Sequence, residues 1–349
     1  MIDRRGLLKT GMALTATLAA PHILSKRAEA QENTLFVNTW GGTIQAAEDA
    51  AYYKSFTEKT GVKIQPVSPV SFAKLKAVVQ TGNYEFDVTT LNLVDFHQAM
   101  AENLVEPLDY TVINKSNLPE GGTIEEGIVS VLQATNLIYR KDKFPNGGPK
   151  SWADFWDVKK FPGKRGLYNQ AVTSLEFALL ADGVPKDKLY PLDEDRAYKK
   201  LNEIKPHITV WWTQGNQSES LIRDGEVDVM SIWNGRGQVV VDQGHPVEMV
   251  WNQAHADPNM YFAPKGTPRK KIAMQFLEHM IQAKPQAEFC NILPYGPSNP
   301  KAFEFMTKAA IAKAPTSPEH NSLIFKPDAK WLTPRLPQIK DRFAQWLAG

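Results

Sequence analysis

Two short clusters of aromatic, amide and charged residues have the types and spacing needed to bind a small charged ligand. The first, Trp40-Gly41-Gly42, would supply a flat apolar wall and backbone N–H groups that a ligand can approach closely. The second is the stretch 233–236, where Trp233 could face a cation while N–H groups and Arg236 hold a carboxylate. A packed tryptophan beside a tight turn, or a structural strand-to-helix turn, would give the same patterns.

Both clusters follow predicted strands, and ligands of open α/β sheets bind beyond the carboxyl ends of strands. The same rule selects residues 90–92 after a third strand and residues 169–174 after a short strand at 166–168. Asp257 and Asn259 come just before a predicted crossing between two halves of the chain. From there they could reach a ligand-binding cleft, and the alternative is that they lie in a solvated loop. The candidate ligand-binding residues are Trp40, Gly41, Gly42, Asn92, Gln170, Thr173, Trp233, Asn234, Arg236, Asp257 and Asn259.

Motifs for catalysis or metal binding are missing from the sequence. The seven histidines are scattered without an H-E-x-x-H pair, and there is neither a G-x-S-x-G elbow nor a Walker loop. The single cysteine, Cys290, allows no intrachain disulfide and is expected to be a small buried residue. Asp87 is expected to be a structural carboxylate, with contact to a ligand cation as the alternative. We therefore predict a binding protein without catalytic residues, metal or cofactor.

The first thirty residues have the pattern of an export signal. A charged start is followed by an apolar run and by an A-x-A site at residues 28–30, and Arg4-Arg5 ahead of two leucines resembles a twin-arginine signal. An N-terminal amphipathic helix is the alternative. Removal of residues 1–30 takes away five basic and two acidic residues, which changes the formal net charge from +2 to −1. We predict a periplasmic protein, monomeric, that does not bind nucleic acid.

The elements that must position the candidate residues form two α/β units. Strands predicted at 35–39, 62–65 and 86–91 alternate with helices, which is the pattern of a parallel sheet covered by helices. The pattern restarts after a Pro/Gly-rich loop at 145–149. Extended segments near 135–139 and 260–264 would cross between the units as a hinge. The predicted fold is α/β with two lobes, lobe 1 comprising residues 31–137 and 264–349 and lobe 2 comprising residues 138–263.

Several motifs of this chain, taken in order, resemble the spermidine/putrescine-type solute-binding proteins of ABC transporters. The motifs that carry the resemblance are the stretches 38–42, 86–88, 161–164, 192–193, 224–228 and 232–236. They are spread over nearly the whole chain after the export signal. The resemblance implies a type II periplasmic-binding-protein fold that holds its ligand between the lobes. It also implies delivery of that ligand to an inner-membrane permease.

The resemblance also bears on the ligand. In polyamine binders the tryptophan that corresponds to Trp233 walls the methylene chain, and acidic residues lie in the stretch that corresponds to 169–174. This chain has no carboxylate in that stretch, and Asn259 stands where the relatives carry an aspartate, with Asp257 two residues earlier. This chain therefore lacks some of the carboxylates that would bind the second ammonium group of a polyamine.

A ligand with one cationic group, such as an amino acid or a simple amine, is thus expected at least as much as a polyamine. Arg236 then becomes the candidate partner of a ligand carboxylate. Thiamine or ferric iron as the ligand, an enzyme on the same fold, and a chemoreceptor as the main partner are the alternatives that the sequence leaves open.

Overall fold

The computed structural model describes residues 33–117, 123–124 and 126–349, so the predicted export segment lies outside the described residues. The strands are β1 Thr34–Asn38, β2 Lys63–Val67, β3 Thr89–Asn92, β4 Thr123–Ile124, β5 Gly127–Arg140, β6 Arg165–Tyr168, β7 Ile208–Trp212, β8 Val229–Trp233, β9 Val247–Phe262 and β10 Gly296–Pro297. In this part of the chain no helix has the length and apolar character needed to cross a membrane.

The helices follow most of these strands. They are α1 Gly42–Glu48, α2 Lys54–Thr60, α3 Phe72–Thr81, α4 Leu93–Ala101, α5 Trp152–Trp156, α6 Ala171–Ala181, α7 Glu194–Ile204, α8 Gly215–Arg223, α9 Asn234–Asp242, α10 Lys270–Met280, α11 Ala283–Ile292, α12 Lys308–Lys313, α13 Ala329–Leu332 and α14 Leu336–Ala348. A π-helical turn at Asp49–Tyr53 joins α1 to α2. The first helix begins at Gly42 with Gly41 as its N-cap.

The strands form a parallel pair and a larger mixed sheet. β1 pairs with β2, and the larger sheet has the order β3-β9-β5-β8-β6-β7, with β4 and β10 also paired to β5. The strand predicted at 86–91 is divided between these sheets. Residues 87 and 88 form backbone hydrogen bonds with β1; for example, Asn38 N donates to Val88 O at 2.8 Å. Strand β3 itself starts at Thr89 and pairs with β9.

The hinge is formed by the two longest strands, β5 and β9, which run antiparallel through both halves of the molecule. Their pairing extends from Ile128 opposite Tyr261 to Arg140 opposite Val247. The register shifts after Thr135, which faces His255, because β9 has extra residues there, including Gln253 at φ 61°. These pairings favour residues 250–255 as the place where β9 passes from the second half of the molecule to the first. This place lies earlier along the chain than the predicted crossing at 260–264.

Separate apolar cores stabilise the two halves. In the first half, helices α1, α2, α10 and α11 contribute to one cluster and helices α3 and α4 to another. In the second half, Trp152 stacks on Phe177 with ring centroids 3.6 Å apart. The same core contains Leu336, Ile339 and Phe343 of α14. The lobe boundaries stay a prediction, but by packing this last helix belongs with residues 138–263 and not with lobe 1, because its apolar face is buried there.

Candidate ligand-binding cleft

Three aromatic side chains form a wall at the carboxyl ends of neighbouring strands in the second half. Tyr168 ends β6, Trp212 ends β7 and Trp233 ends β8. The rings of Tyr168 and Trp212 are stacked at 4.3 Å, and Trp233 meets them edge-on at 5.5 and 5.4 Å. Ser231 Oγ accepts hydrogen bonds from Tyr168 N and Trp212 Nε1, which fixes the arrangement. This aromatic wall (Tyr168, Trp212 and Trp233) leaves Tyr168 and Trp233 half-buried, so that they can cover a ligand.

Arg236 lies beside the aromatic wall, in the first turn of α9. Its Nη1 is 3.4 Å from Glu219 Oε2, and 39% of the arginine side chain is exposed. A Cβ atom at Gly215 would lie 2.9 Å from Arg236 Nε and 2.9 Å from Trp233, so glycine there allows both side chains to pack over α8. Burial raises the pKa of Tyr295 to about 12, and the nearby Arg236 opposes this rise. The guanidinium therefore lies close to a residue of the first half.

Asp257 supplies negative charge that acts on Tyr168 of the wall. The carboxylate is half-buried, accepts a hydrogen bond from the backbone N–H of Leu93, and lies 3.4 Å from Gln133 Nε2. Burial raises the pKa of Asp257, and Asp95 adds to the rise. Burial also raises the pKa of Tyr168 to about 12, with a further contribution from Asp257. Asp257 thus lies within electrostatic reach of the aromatic wall.

The turn after β1 presents Trp40 on the first half. The buried amide of Asn38 connects three segments. Its Nδ2 donates to Val67 O at 2.9 Å and to Pro69 O at 3.2 Å, and its Oδ1 accepts from Thr89 Oγ1 at 2.9 Å. This one side chain therefore ties the ends of β1 and β2 to β3. Gly41 and Gly42 have φ values of 77° and 58°, which glycine adopts readily. Trp40 is 42% exposed on this fixed turn.

Other predicted ligand residues have structural tasks. Asn234 is fully buried, its Oδ1 accepts a hydrogen bond from Ala134 N at 2.9 Å, and its Nδ2 donates to Pro294 O. These bonds tie α9 to the hinge, and contact of Asn234 with a ligand stays a prediction. Asn92 caps α4 through a 2.9 Å bond from Asp95 N, and Gln170 caps α6 through a 2.7 Å bond from Thr173 N.

Thr173 and Asn259 are buried, and Asn259 is the register partner of Asn92. Gln170 also lies in a small cavity against α14, beside Lys340 and Phe343. A ligand contact for these residues stays a prediction. The structure thus brings Trp233 and Arg236 together, with Asp257 near Tyr168, whereas the amide side chains serve mainly as caps and ties.

Buried carboxylates away from the wall are held by other side chains. Glu48 accepts hydrogen bonds from Thr39 and from Tyr53 at 2.5 and 2.7 Å, and also from Tyr261. Tyr53 therefore lies in the core of the first half, which removes it as an iron ligand. Asp87 accepts from Thr267 Oγ1 at 2.8 Å and pairs with Arg269 at 3.2 Å, as expected of a structural carboxylate.

Metal or nucleophile chemistry finds no support in the described residues. Within them, no group of three or more His, Cys, Asp or Glu side chains could hold a metal ion. Cys290 is buried, and burial raises the pKa of its thiol, so a reactive thiolate is disfavoured.

Sequence reasoning missed two members of the aromatic wall, Tyr168 and Trp212. Both are the last residues of strands, so the strand-end rule that selected Trp233 would also have selected them. It also missed Glu219 and Tyr295, the neighbours of Arg236. Their contacts join segments far apart in sequence, for which a single sequence holds no local signal.

Comparison with known proteins agrees with this geometry. The family model of the bacterial extracellular solute-binding protein matches residues 51–319. The gamma-aminobutyric acid-binding protein of Pseudomonas aeruginosa is 32% identical, over 92% of this chain and 93% of the relative. The spermidine/putrescine-binding periplasmic protein of Escherichia coli is 25% identical, over 71% and 70%. An ABC transporter substrate-binding protein from Bradyrhizobium japonicum has a TM-score of 0.86 and 36% identity, over 90% of this chain and 99% of that structure.

These likenesses confirm the predicted two-lobe α/β fold and the predicted resemblance. They also confirm that the chain acts in transport and is not an enzyme, because the family consists of solute-binding proteins. Such proteins bind a small molecule and deliver it to an ABC permease. The chain belongs to the bacterial extracellular solute-binding protein family and is the solute-binding component of an ABC transporter.

Proposed function

We propose that this protein captures a small zwitterionic solute, an amino acid whose amine and carboxylate are separated by a short methylene chain. The ammonium group is held by Asp257 against the aromatic wall, and the carboxylate is held by Arg236. Trp233 covers the methylene chain between them. A linear γ-amino acid such as γ-aminobutyrate has this arrangement of charges.

One observation carries the proposal: the aromatic wall has a half-buried carboxylate near Tyr168 and a partly exposed guanidinium beside Trp233. Aromatic faces attract cations, and a guanidinium binds a carboxylate through two parallel N–H groups. Burial raises the pKa of Asp257, and the nearby His255 opposes this rise, so an ammonium group would further favour the charged carboxylate. The more similar of the two relatives described above is the one that binds gamma-aminobutyric acid.

Capture would proceed by closure of the two lobes around the ligand. Asp257 lies on β9 where that strand pairs with the first half, whereas Trp233 and Arg236 belong to the second half. A ligand that contacts both groups stabilises the closed form relative to the open form. The exposed Trp40 would then close over the ligand from the first lobe.

The setting of this proposal is the periplasm. Residues 1–30 would direct export by the twin-arginine route, and the remaining chain would act as a monomer that hands its ligand to the inner-membrane permease. A polyamine would lack a second carboxylate partner in the stretch 169–174, as the sequence indicates.

A thermal-shift series on residues 31–349 tests the proposed ligand class. Binding to the folded state alone raises the melting temperature by mass action. We expect γ-aminobutyrate and other linear ω-amino acids to raise it more than α-amino acids, spermidine, putrescine, thiamine or ferric iron. A larger shift with spermidine than with every amino acid would contradict the proposal.

Ligand affinity should also fall on mild acidification. The pKa of Asp257 is raised, so this carboxylate begins to take up a proton at a higher pH than an ordinary aspartate. The protonated form no longer attracts an ammonium, and affinity should fall by up to roughly tenfold for each pH unit below that pKa. Calorimetric titrations of γ-aminobutyrate from pH 7.5 to 4.5 measure the effect. The Asp257→Asn variant should bind weakly and show a flatter profile over the same range.

A further inference from the structure

A cavity borders the hinge strands β5 and β9, and its lining contains none of the three residues of the aromatic wall. Its volume is about 460 Å³, which is within the range of small-molecule sites. Leu132 and Pro258 are register partners on the two strands, and both line the cavity. Their neighbours Gln133 and Asp257 are paired with each other. Because successive side chains of a strand point to opposite faces, the cavity and the cleft share the hinge strands but not the same side chains.

Part of the cavity wall is apolar and stiff, whereas Ser298, Thr316 and Asn321 add polar groups to the lining. Leu93 and Val129, both buried, contribute apolar surface beside Leu132. Four prolines also line the cavity, namely Pro258, Pro297, Pro300 and Pro327. Proline fixes φ and has no backbone N–H, so these walls are preformed and offer a hydrocarbon chain little polar surface. The interior therefore suits an aliphatic group.

The rim of the cavity is cationic. Lys326 and Lys330 line it, and both are exposed. Asp328 lies between them, but its Oδ1 already accepts from Trp331 N at 3.0 Å as the cap of α13. Burial lowers the pKa of the half-buried His97, and Lys330 lowers it further. Positive charge thus predominates where a ligand would enter.

We propose that this hinge cavity (Leu93, Leu132, Pro258, Pro297, Lys326 and Lys330) is a second binding site, which takes an aliphatic carboxylate. The hydrocarbon chain lies between the leucine and proline walls, and the carboxylate pairs with the two lysines. Occupancy is linked to lobe movement, because β5 and β9 form both the floor of the cavity and the hinge. The side chains of this site are separate from those proposed to hold the amino-acid ligand in the cleft.

Octanoate is the probe for this proposal. Calorimetry with residues 31–349 should detect octanoate binding, whereas octylamine, which has the same chain and the opposite charge, should not bind. The variant Lys326→Gln/Lys330→Gln should lower octanoate affinity roughly tenfold, because two charged partners of the carboxylate are lost. The matched variant Lys63→Gln/Lys284→Gln removes two exposed lysines elsewhere and should retain it.

A second readout separates this site from the cleft. The NMR titration of the His97 ring should move to higher pH when octanoate is present, because a nearby carboxylate favours the imidazolium. Octanoate binding should be retained in Trp233→Ala, and γ-aminobutyrate binding should be retained in the cavity lysine variant. Lack of octanoate binding, an unmoved His97 titration, or loss of octanoate binding in Trp233→Ala would overturn the proposal. Retained γ-aminobutyrate binding in the cavity lysine variant would show that the cleft ligand does not depend on these lysines.

Discussion

Replacement of Trp233 by alanine is expected to weaken binding of the zwitterionic ligand about thirty-fold, or by about 2 kcal/mol. The indole is half-buried, borders Tyr168 and Trp212, and lies beside Arg236. Its removal exposes the methylene chain of the ligand to water and takes away one aromatic face from the ammonium. It also leaves the Arg236 side chain without the ring that borders it.

Calorimetric titration of the variant with γ-aminobutyrate measures this loss. The matched control is Trp346→Ala, which removes a half-buried tryptophan of α14 that packs against Trp211 and lies outside the aromatic wall. The control variant should lose some stability but should keep its affinity. Equal affinity of Trp233→Ala and the unmodified protein would place the ligand elsewhere.

The Asp257→Asn variant is expected to have the larger effect, a roughly hundredfold loss of affinity that corresponds to about 3 kcal/mol. The substitution keeps the shape of the side chain but removes the charge that pairs with the ammonium. In a half-buried site such a pair is screened less by water than one at the surface, so the loss is large. Affinity for γ-aminobutyrate, measured by calorimetry at pH 7.5, tests this expectation.

Thermal unfolding distinguishes loss of a ligand contact from loss of structure in this variant. Because the pKa of Asp257 is raised, the charged carboxylate disfavours the folded state at neutral pH, and a neutral amide relieves that cost. The ligand-free Asp257→Asn protein should therefore be at least as stable as the unmodified one. Asp109→Asn, a half-buried aspartate outside the cleft that accepts a hydrogen bond from Thr111 N, serves as the control and should leave affinity unchanged. Full affinity of Asp257→Asn would exclude this aspartate as the cation partner.

Local sequence patterns were sufficient for many of the elements and for part of the cleft. Ser71 accepts a hydrogen bond from Lys74 N and begins α3, and Gly61 ends α2 at φ 76°, so local residue types mark both helix ends. The strand-end rule selected Trp233, the last residue of β8, and Arg236 in the first turn of α9, and their contact with a ligand stays a prediction. These signals depend on near neighbours, which a single sequence contains.

Contacts between distant segments could not be predicted in the same way. The sequence gives Asn234 the appearance of a ligand residue, yet its amide bonds to Ala134, one hundred positions away. The middle of β9, residues 252–259, is mostly polar and contains Pro258, so only the end of the strand was predicted as extended. Pairing with β5 overrides that weak local preference. The C-terminal helix has an apolar face that fits either core, and only the packed structure shows which one it joins.

The central claim, that one site holds both ends of a zwitterion, is tested most directly by calorimetric titration of γ-aminobutyrate, butylamine and butyrate under identical conditions. Butylamine retains the ammonium that would meet Asp257, and butyrate retains the carboxylate that would meet Arg236. We predict that γ-aminobutyrate binds at least roughly a hundredfold more tightly than either compound, because each lacks one charged contact worth about 2–3 kcal/mol. Binding of butylamine or butyrate as tight as that of γ-aminobutyrate would contradict the account.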